Sequence, residues 1–355
     1  MSENEQVVIH GLVCPRPLRH EDTVMLGHGS GGRMTMDLII KTFYPPFANP
    51  TLLRGDDAAV VEQPEDGKLA ISTDGHIVSP LFFPGGDIGR LAVSGTVNDL
   101  VCMGAEPIWL TASFILEEGL PLFVLEAALK SMKSTAEEAG VQIIAGDTKV
   151  AERGKADGIF VSTTGVGHIP EGRVVHGANA QVGDVVLISG TIGDHGMAVL
   201  AARGELGFEA QIESDVAPLQ GLVEVIFAAS ADIHVLRDPT RGGLATTLNE
   251  IARQSKVCIE IEEAALPVDS AVEAACEMLG FDPLYVANEG KLVVIAGPEQ
   301  ADELELAMRA HPYGAGTRRI GVVREEPASR VLMKTGIGGT RVVDILSGEL
   351  LPRIC

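Results

Sequence analysis

Short β-prone apolar runs alternate with amphipathic stretches along most of this chain. Residues 69–73, 141–145 and 159–163 have the length and composition of strands. Residues 88–103 and 123–139 space their apolar positions as helices do, and Gly140 stops the second. A Pro- and Gly-containing stretch, 169–183, closes this first series. Beyond it, 185–189 and 292–296 read as buried strands, and 244–256, 271–279 and 299–310 as helices. The order predicts an α/β domain over 25–168 followed by an α+β domain over 169–335. Residues 1–24 read as an N-terminal extension, whose Cys14-Pro15-Arg16-Pro17 stretch is unfit for helix or central strand. After Leu332 the glycines return (Gly336, Gly338, Gly339), and 336–355 reads as a mobile tail ending in Pro352-Arg353-Ile354-Cys355.

Length and composition agree with two domains: 355 residues exceed one typical core, and 41 glycines fit many tight strand–loop junctions. Aromatic residues are only 4% of the chain, which argues against a stacking platform for single-stranded nucleic acid. A formal charge of −22 would repel phosphate backbones and anionic lipids, so any bound nucleotide needs metal ions, backbone amides and a few placed cations. The longest uncharged run, 158–170, is 13 residues, too short to span a bilayer. Glu3 and Glu5 do not suit a signal peptide. Five scattered cysteines, with no Cys-x-x-Cys pair, indicate neither zinc nor a disulfide framework and suit a reducing, cytoplasmic setting.

Candidate chemistry lies in loops. Gly55-Asp56-Asp57-Ala58, Ser72-Thr73-Asp74-Gly75, Asn98-Asp99 and Gly146-Asp147-Thr148-Lys149 each follow a β-prone or apolar run. Singly, each reads as a turn or cap. Together, Asp56, Asp57, Asp74, Asp99 and Asp147 look like ligands for Mg²⁺, which prefers hard oxygen donors and bridges to substrate phosphates. The strip 27–32, including Gly29, Ser30, Gly31 and Gly32, lacks a preceding strand and so is no Rossmann loop. It reads as phosphate-covering amides or as a linker. Asp238-Pro239-Thr240-Arg241-Gly242-Gly243 opens a helix, where Arg241 could hold an anion or Asp238 simply cap. His195, in a polar loop, reads as a surface histidine. Glu289, before the 292–296 strand, is either a buried base or a turn residue. Cys355 has no prenylation box behind it, and a terminal thiol needs only exposure and a lowered pKa to act as a nucleophile.

In this order, the glycine strip, the aspartate loops, Asp238–Gly243, Asn288-Glu289-Gly290 and the terminal Pro-Arg-Ile-Cys resemble the HypE family of carbamoyl dehydratases. That family serves [NiFe]-hydrogenase maturation within the aminoimidazole ribonucleotide synthetase superfamily. The resemblance covers about residue 25 to the end. It implies a two-domain PurM-like fold whose N-terminal sheet pairs in a homodimer, with ATP and Mg²⁺ as cofactors. Gly29, Ser30, Gly31, Gly32, Asp56, Asp57, Asp74, Asn98, Asp99, Asp147, Thr148 and Arg241 would hold the nucleotide. Cys355 would carry a carbamoyl group, with Glu289 as base and Lys149 assisting. A HypF-type carbamoyltransferase would load the thiol and a HypC–HypD-type complex would receive the product. A superfamily kinase acting on a free small molecule, a selenophosphate synthetase, or a non-catalytic carrier are the other readings. The selenophosphate reading fits poorly, because Cys14 precedes Pro15-Arg16-Pro17 instead of a glycine loop.

Overall fold

A computed structural model describes residues 23–345 except 31–32, 55–57, 60, 63, 65 and 205–210. Helical turns α1 (Arg33–Leu38) and α2 (Tyr44–Phe47), joined by a π-helical turn, lead to β1 (Lys68–His76). The short strands β2 (Phe82–Phe83) and β3 (Gly86–Asp87) precede α3 (Ile88–Cys102), β4 (Glu106–Glu117), α4 (Leu122–Glu138), β5 (Gln142–Ala151) and β6 (Ile159–Ile169). Strands β1-β6-β4-β5 form one sheet, antiparallel apart from the parallel β4–β5 pair.

The second part contains β7 (Val185–Ile188), α5 (Asp194–Ala202), α6 (Gln220–Ala229), β8 (Ile233–Arg237), α7 (Gly243–Ser255), β9 (Cys258–Glu262) and α8 (Ser270–Leu279). It ends with β10 (Val293–Ala296), α9 (Ala301–Ala310), β11 (Arg318–Arg324), β12 (Arg330–Lys334) and β13 (Thr340–Val343). These seven strands make a second sheet, ordered β13-β12-β9-β11-β7-β10-β8. No helix among the described residues is long and apolar enough to cross a membrane.

Helix α3 is the piece the two halves share. Asp87 caps it by accepting from Gly89 N (2.7 Å) and Arg90 N (3.1 Å). Thirteen of its fifteen residues are buried, because it packs on the first sheet, on α4, and on β8 and α6 of the second part. Gly165 on β6 permits this approach: a Cβ there would lie 2.7 Å from Thr96 Cγ2 and 2.8 Å from Leu100 Cδ1. The first sheet therefore has one face covered by α3 and α4. Its other face alternates outward with Leu69, Ile71, Trp109, Thr164 and Val166 along a shallow hollow of about 660 Å³.

Two expectations need correction. The tail does not begin at 336, because β13 pairs antiparallel with β12 and keeps the chain in the sheet to Val343. His195 is not a surface residue. It is fully buried in α5, its Nδ1 is 2.8 Å from Ser214 Oγ, and its ring meets Phe83 edge-on at 5.4 Å.

Gly165→Ala should cost about 1–3 kcal/mol through overpacking against α3. Urea unfolding would read this as a lower midpoint, and an unchanged midpoint would contradict the close approach.

Candidate active site

A cleft of about 180 Å³ lies where the two halves meet, walled by Asp74, His76, Asp99, Asp238, Arg241 and Glu289. It adjoins a groove of about 510 Å³ that shares Asp99, Asp238, Thr240 and Arg241. Period-two alternation puts Ser72, Asp74 and His76 on the α3 side of β1. Ser72 Oγ donates to Asp99 Oδ2 at 2.6 Å, which fixes one carboxylate from α3 against the strand. His76 Nε2 lies 3.0 Å from Thr163 Oγ1 and 3.8 Å from Asp74 Oδ2. Only glycine fits at 95, where a Cβ would stand 2.9 Å from His76 Cε1. On the opposite wall Gly242 (φ 77°) and Gly243 (φ 61°) make the turn that presents Arg241 and starts α7.

The cleft is strongly electronegative. Burial pushes the Asp99 carboxyl above its ordinary value, against the bond from Ser72. Burial, then the nearby Asp99, raises Asp238 from 3.8 to about 6. Glu289 is 5% exposed, and burial plus Asp238, Asp215, Asp74 and Asp99 hold its proton affinity well above the usual carboxylate range. No hydrogen bond or ion pair holds the Glu289 carboxyl among the described residues, so it is a buried, unspent acid–base group.

Not every predicted site residue converges here. Asp147 and Lys149 lie on β5, at the far edge of the sheet from β1, paired to each other at 2.7–2.8 Å. The three intervening strand spacings put them roughly 14 Å from Asp74. Their register opposite Ser113 and Ile115 turns them to the uncovered face, while Thr148 lies opposite core-facing Phe114. Lys149 holds the Asp147 carboxyl below its ordinary value. Gly29 abuts this edge, since a Cβ there would meet Val150 N at 2.8 Å, and Ser30 Oγ donates to Gly27 O at 2.9 Å. Among the described residues, which leave out Asp56 and Asp57, no three His, Cys, Asp or Glu groups come together closely enough to hold a metal. The donors that line the cleft are nonetheless hard carboxylate oxygens, the type that suits Mg²⁺ with a nucleotide.

Asn98, expected to contact the nucleotide, is spent elsewhere. Its Oδ1 accepts from Leu219 N at 2.8 Å, and its Nδ2 donates to Ala217 O at 3.0 Å and Glu289 O at 3.4 Å. Gly31, Gly32, Asp56, Asp57, Cys14 and Cys355 lie outside the described residues. Cys102, Cys258 and Cys276 are buried, and burial raises each thiol, which makes them poor nucleophiles. His76 and Asp215 were missed by sequence reasoning. The alternation of Ser72, Asp74 and His76 could have found the first, whereas nothing local marks Asp215.

Residues 55–169 match the N-terminal domain family of AIR synthase related proteins, and 181–334 match the C-terminal domain family. Over 341 residues the chain is 54% identical to carbamoyl dehydratase HypE of Cupriavidus necator, covering 96% of this chain and 97% of that protein. The chain belongs to the HypE family. A crystal structure of the hydrogenase maturation protein HypE in complex with ATP superimposes with a TM-score of 0.90 at 48% identity, over 94% of this chain and all of that one. HypE from a crystallised HypE–HypF complex matches at 49% identity and a TM-score of 0.76, covering 87% of this chain and 99% of that one. The PurM-like pair of domains expected from the sequence is thus the fold of the HypE family, and Asp74, Asp99 and Asp147, expected in loops, stand on β1, α3 and β5.

The raised Asp238 value sets a pH dependence. With about 6 folded against 3.8 unfolded, its contribution to stability is complete below about pH 4 and is lost as pH rises through 6. In magnesium-free buffer, Asp238→Asn should therefore gain stability over the parent at pH 7.5 and lose that advantage at pH 4. Equal urea midpoints for parent and variant at both values would refute the assignment.

Proposed function

We propose that this HypE-family chain is an ATP-dependent carbamoyl dehydratase converting an S-carbamoyl group on Cys355 into a thiocyanate, the source of cyanide ligands for [NiFe]-hydrogenase iron. The carboxylate-walled cleft with its buried, unpartnered Glu289, in a chain matching HypE proteins along its length, carries the reading. The HypE structure with ATP supports ATP as co-substrate, and the HypE–HypF complex supports a HypF-type carbamoyltransferase as the partner that loads the thiol. A HypC–HypD-type complex would accept the product, and the cytoplasm is the expected setting.

A carbamoyl oxygen is a poor leaving group. It would attack the γ-phosphorus of ATP, ADP would depart, and the nitrogen would give up a proton. The carbon–oxygen bond then breaks, phosphate leaves, and loss of a second proton from nitrogen completes the carbon–nitrogen triple bond. Glu289 is the proposed proton acceptor: its surroundings make its carboxylate a stronger base than usual, and positive charge entering the cleft would release its resting proton. Lys149 would stabilise charge on the transferring phosphoryl group or orient the carbamoyl group. Arg241 and the amides near Gly29 to Gly32 would contact phosphates. Asp56, Asp57, Asp74, Asp99 and Asp147 would hold Mg²⁺, which when bound neutralises the triphosphate.

One chain leaves Asp147 and Lys149 apart from Asp74, which supports a site shared between two chains. The uncovered sheet face, with Ile71 70% and Leu69 46% exposed, is an apolar surface suited to a second copy. Two-fold pairing there would carry the β5 edge of one protomer toward the β1 edge of its partner. Val343 and Asp344 are held beside α7 by Asn249 Nδ2 (3.0 Å) and Tyr285 OH (2.9 Å). Residues 345–355 would then reach at most about 36 Å, the span within which Cys355 would meet the cleft and a partner.

Intact-mass spectrometry with carbamoyltransferase, carbamoyl phosphate and Mg·ATP tests the chemistry. The parent should gain a carbamoyl group and then lose water. Cys355→Ala should do neither while still binding Mg·ATP, and Glu289→Gln should stop at the carbamoyl adduct. An adduct mapped to Cys14, Cys102, Cys258 or Cys276 with Cys355 unmodified would overturn the reading. The shared site has its own test: Asp74→Ala and Lys149→Ala, each inactive alone, should regain turnover on mixing, as one site of a mixed dimer keeps both groups. Failure to recover, with subunit exchange verified, would place each site within one chain.

A further inference from the structure

The Glu289 backbone is held by a strap, residues 211–219, that crosses between the two halves of the molecule. The strap is fixed to the first half by Ser214 N→Pro84 O (2.8 Å), Arg90 Nε→Val216 O (2.8 Å) and Leu219 N→Asn98 Oδ1 (2.8 Å). From it, the Asp215 side chain, 1% exposed, turns toward the Asn288-Glu289-Gly290 turn. Its Oδ1 accepts from Glu289 N and its Oδ2 from Gly290 N, each at 3.1 Å. Lys291 Nζ lies 3.6 Å from Asp215 Oδ2 and 3.5 Å from Asp194 Oδ2. The strap also reaches the Glu289 carbonyl, which accepts from Ala217 N at 3.4 Å. Backbone packs on backbone here: a Cβ on Gly290 would stand 1.8 Å from Asp215 O.

We propose that Asp215 is the positioning residue for Glu289, its two carboxylate oxygens gripping the consecutive amides of Glu289 and Gly290 so that the Glu289 carboxyl is aimed into the cleft. The proposal rests on the reading of Glu289 as the base. A carboxylate is suited to this grip because two adjacent amides need two acceptors, and charge-assisted hydrogen bonds are stronger than neutral ones. Lys291, 3.6 Å from Oδ2, offsets the charge of this added carboxylate beside an already acidic cleft. Asp215 also contributes to the raised proton affinity of Glu289, so its charge acts on the same group that its geometry fixes. Because the strap is anchored to α3 and to the 84–90 segment, the grip couples the Glu289 turn, in the second half, to the wall that carries Asp74 and Asp99.

Asp215→Asn tests this in the full-length protein. The amide nitrogen of asparagine would face one of the two backbone donors, so the grip is half lost. Amide exchange at Glu289 and Gly290 should accelerate by at least about tenfold, while that of β10 stays at the parental rate. The Kd for Mg·ATP and the loading of Cys355 should stay within about twofold, and single-turnover dehydration should fall about 10- to 100-fold. Parental exchange at both amides, or parental dehydration despite faster exchange, overturns the proposal; so does a loss of ATP affinity in step with the rate. If Asp215→Asn does not fold, as β10 exchange would reveal, Asp215→Glu carries the same expectations through a grip displaced by one methylene. Glu289→Gln separates the two layers: normal dehydration by that variant removes the base, whereas the exchange data judge the grip by themselves.

Discussion

Asn98 is the residue through which the two halves of this protein agree on one geometry. Its carboxamide is buried, and each of its polar atoms is used by the strap or by the Glu289 turn. A buried amide without those partners would cost about 1–3 kcal/mol per lost bond, so any relative sliding of the halves is opposed where it would do most damage. The neighbour of Asn98 in sequence, Asp99, faces β1 and receives the Ser72 hydroxyl. One turn of α3 therefore sets the seam on one side and a wall of the cleft on the other. The near-complete burial of α3 follows from this double duty.

The cleft itself runs against stability. Asp74, Asp99, Asp238 and Glu289 share a hollow that Arg241 also lines. Arg237, close by, is committed to Glu250. Packing carboxylates in this way raises their proton affinities and weakens the resting fold above neutral pH. A bound cation would relieve this crowding, which links the electrostatics of the cleft to the nucleotide chemistry proposed for it. Burial shifts the three described cysteines in the same direction, which keeps their thiols protonated and inert.

Elements with a sustained period were legible in the sequence: α3, α4, α7, α8 and α9 fall within one or two residues of their expected bounds. Helix α6, ten residues long, also escaped, and most of the other missed elements are short or interrupted. β9 alternates over only five residues, β4 begins around Pro107, and α5 starts among Gly193, Asp194 and His195, where turn chemistry masks a helix. For the site, residue types were legible but distances were not. Asp74 and Asp147 follow similar local patterns, yet three strand spacings and opposite faces of the sheet separate them, a matter of sheet order that no local pattern encodes. Asn98 looked like a ligand because it precedes Asp99. Helical geometry sends consecutive side chains about 100° apart, so the two face different partners.

The pairing of β13 with β12 has a consequence for encounter rates. It moves the last described anchor of the chain forward to Val343 and Asp344, so residues 345–355, as the tether proposed for Cys355, would bound a sphere of at most about 36 Å radius around the α7 flank. One thiol within that sphere corresponds to a local concentration of about 10 mM. At such a concentration Cys355 would outcompete dilute free thiols for the cleft without any tight docking contact. On that proposal the same tether would confine a loading enzyme to the side of the molecule where α7 and β13 lie, since a partner bound beyond that radius could not be reached.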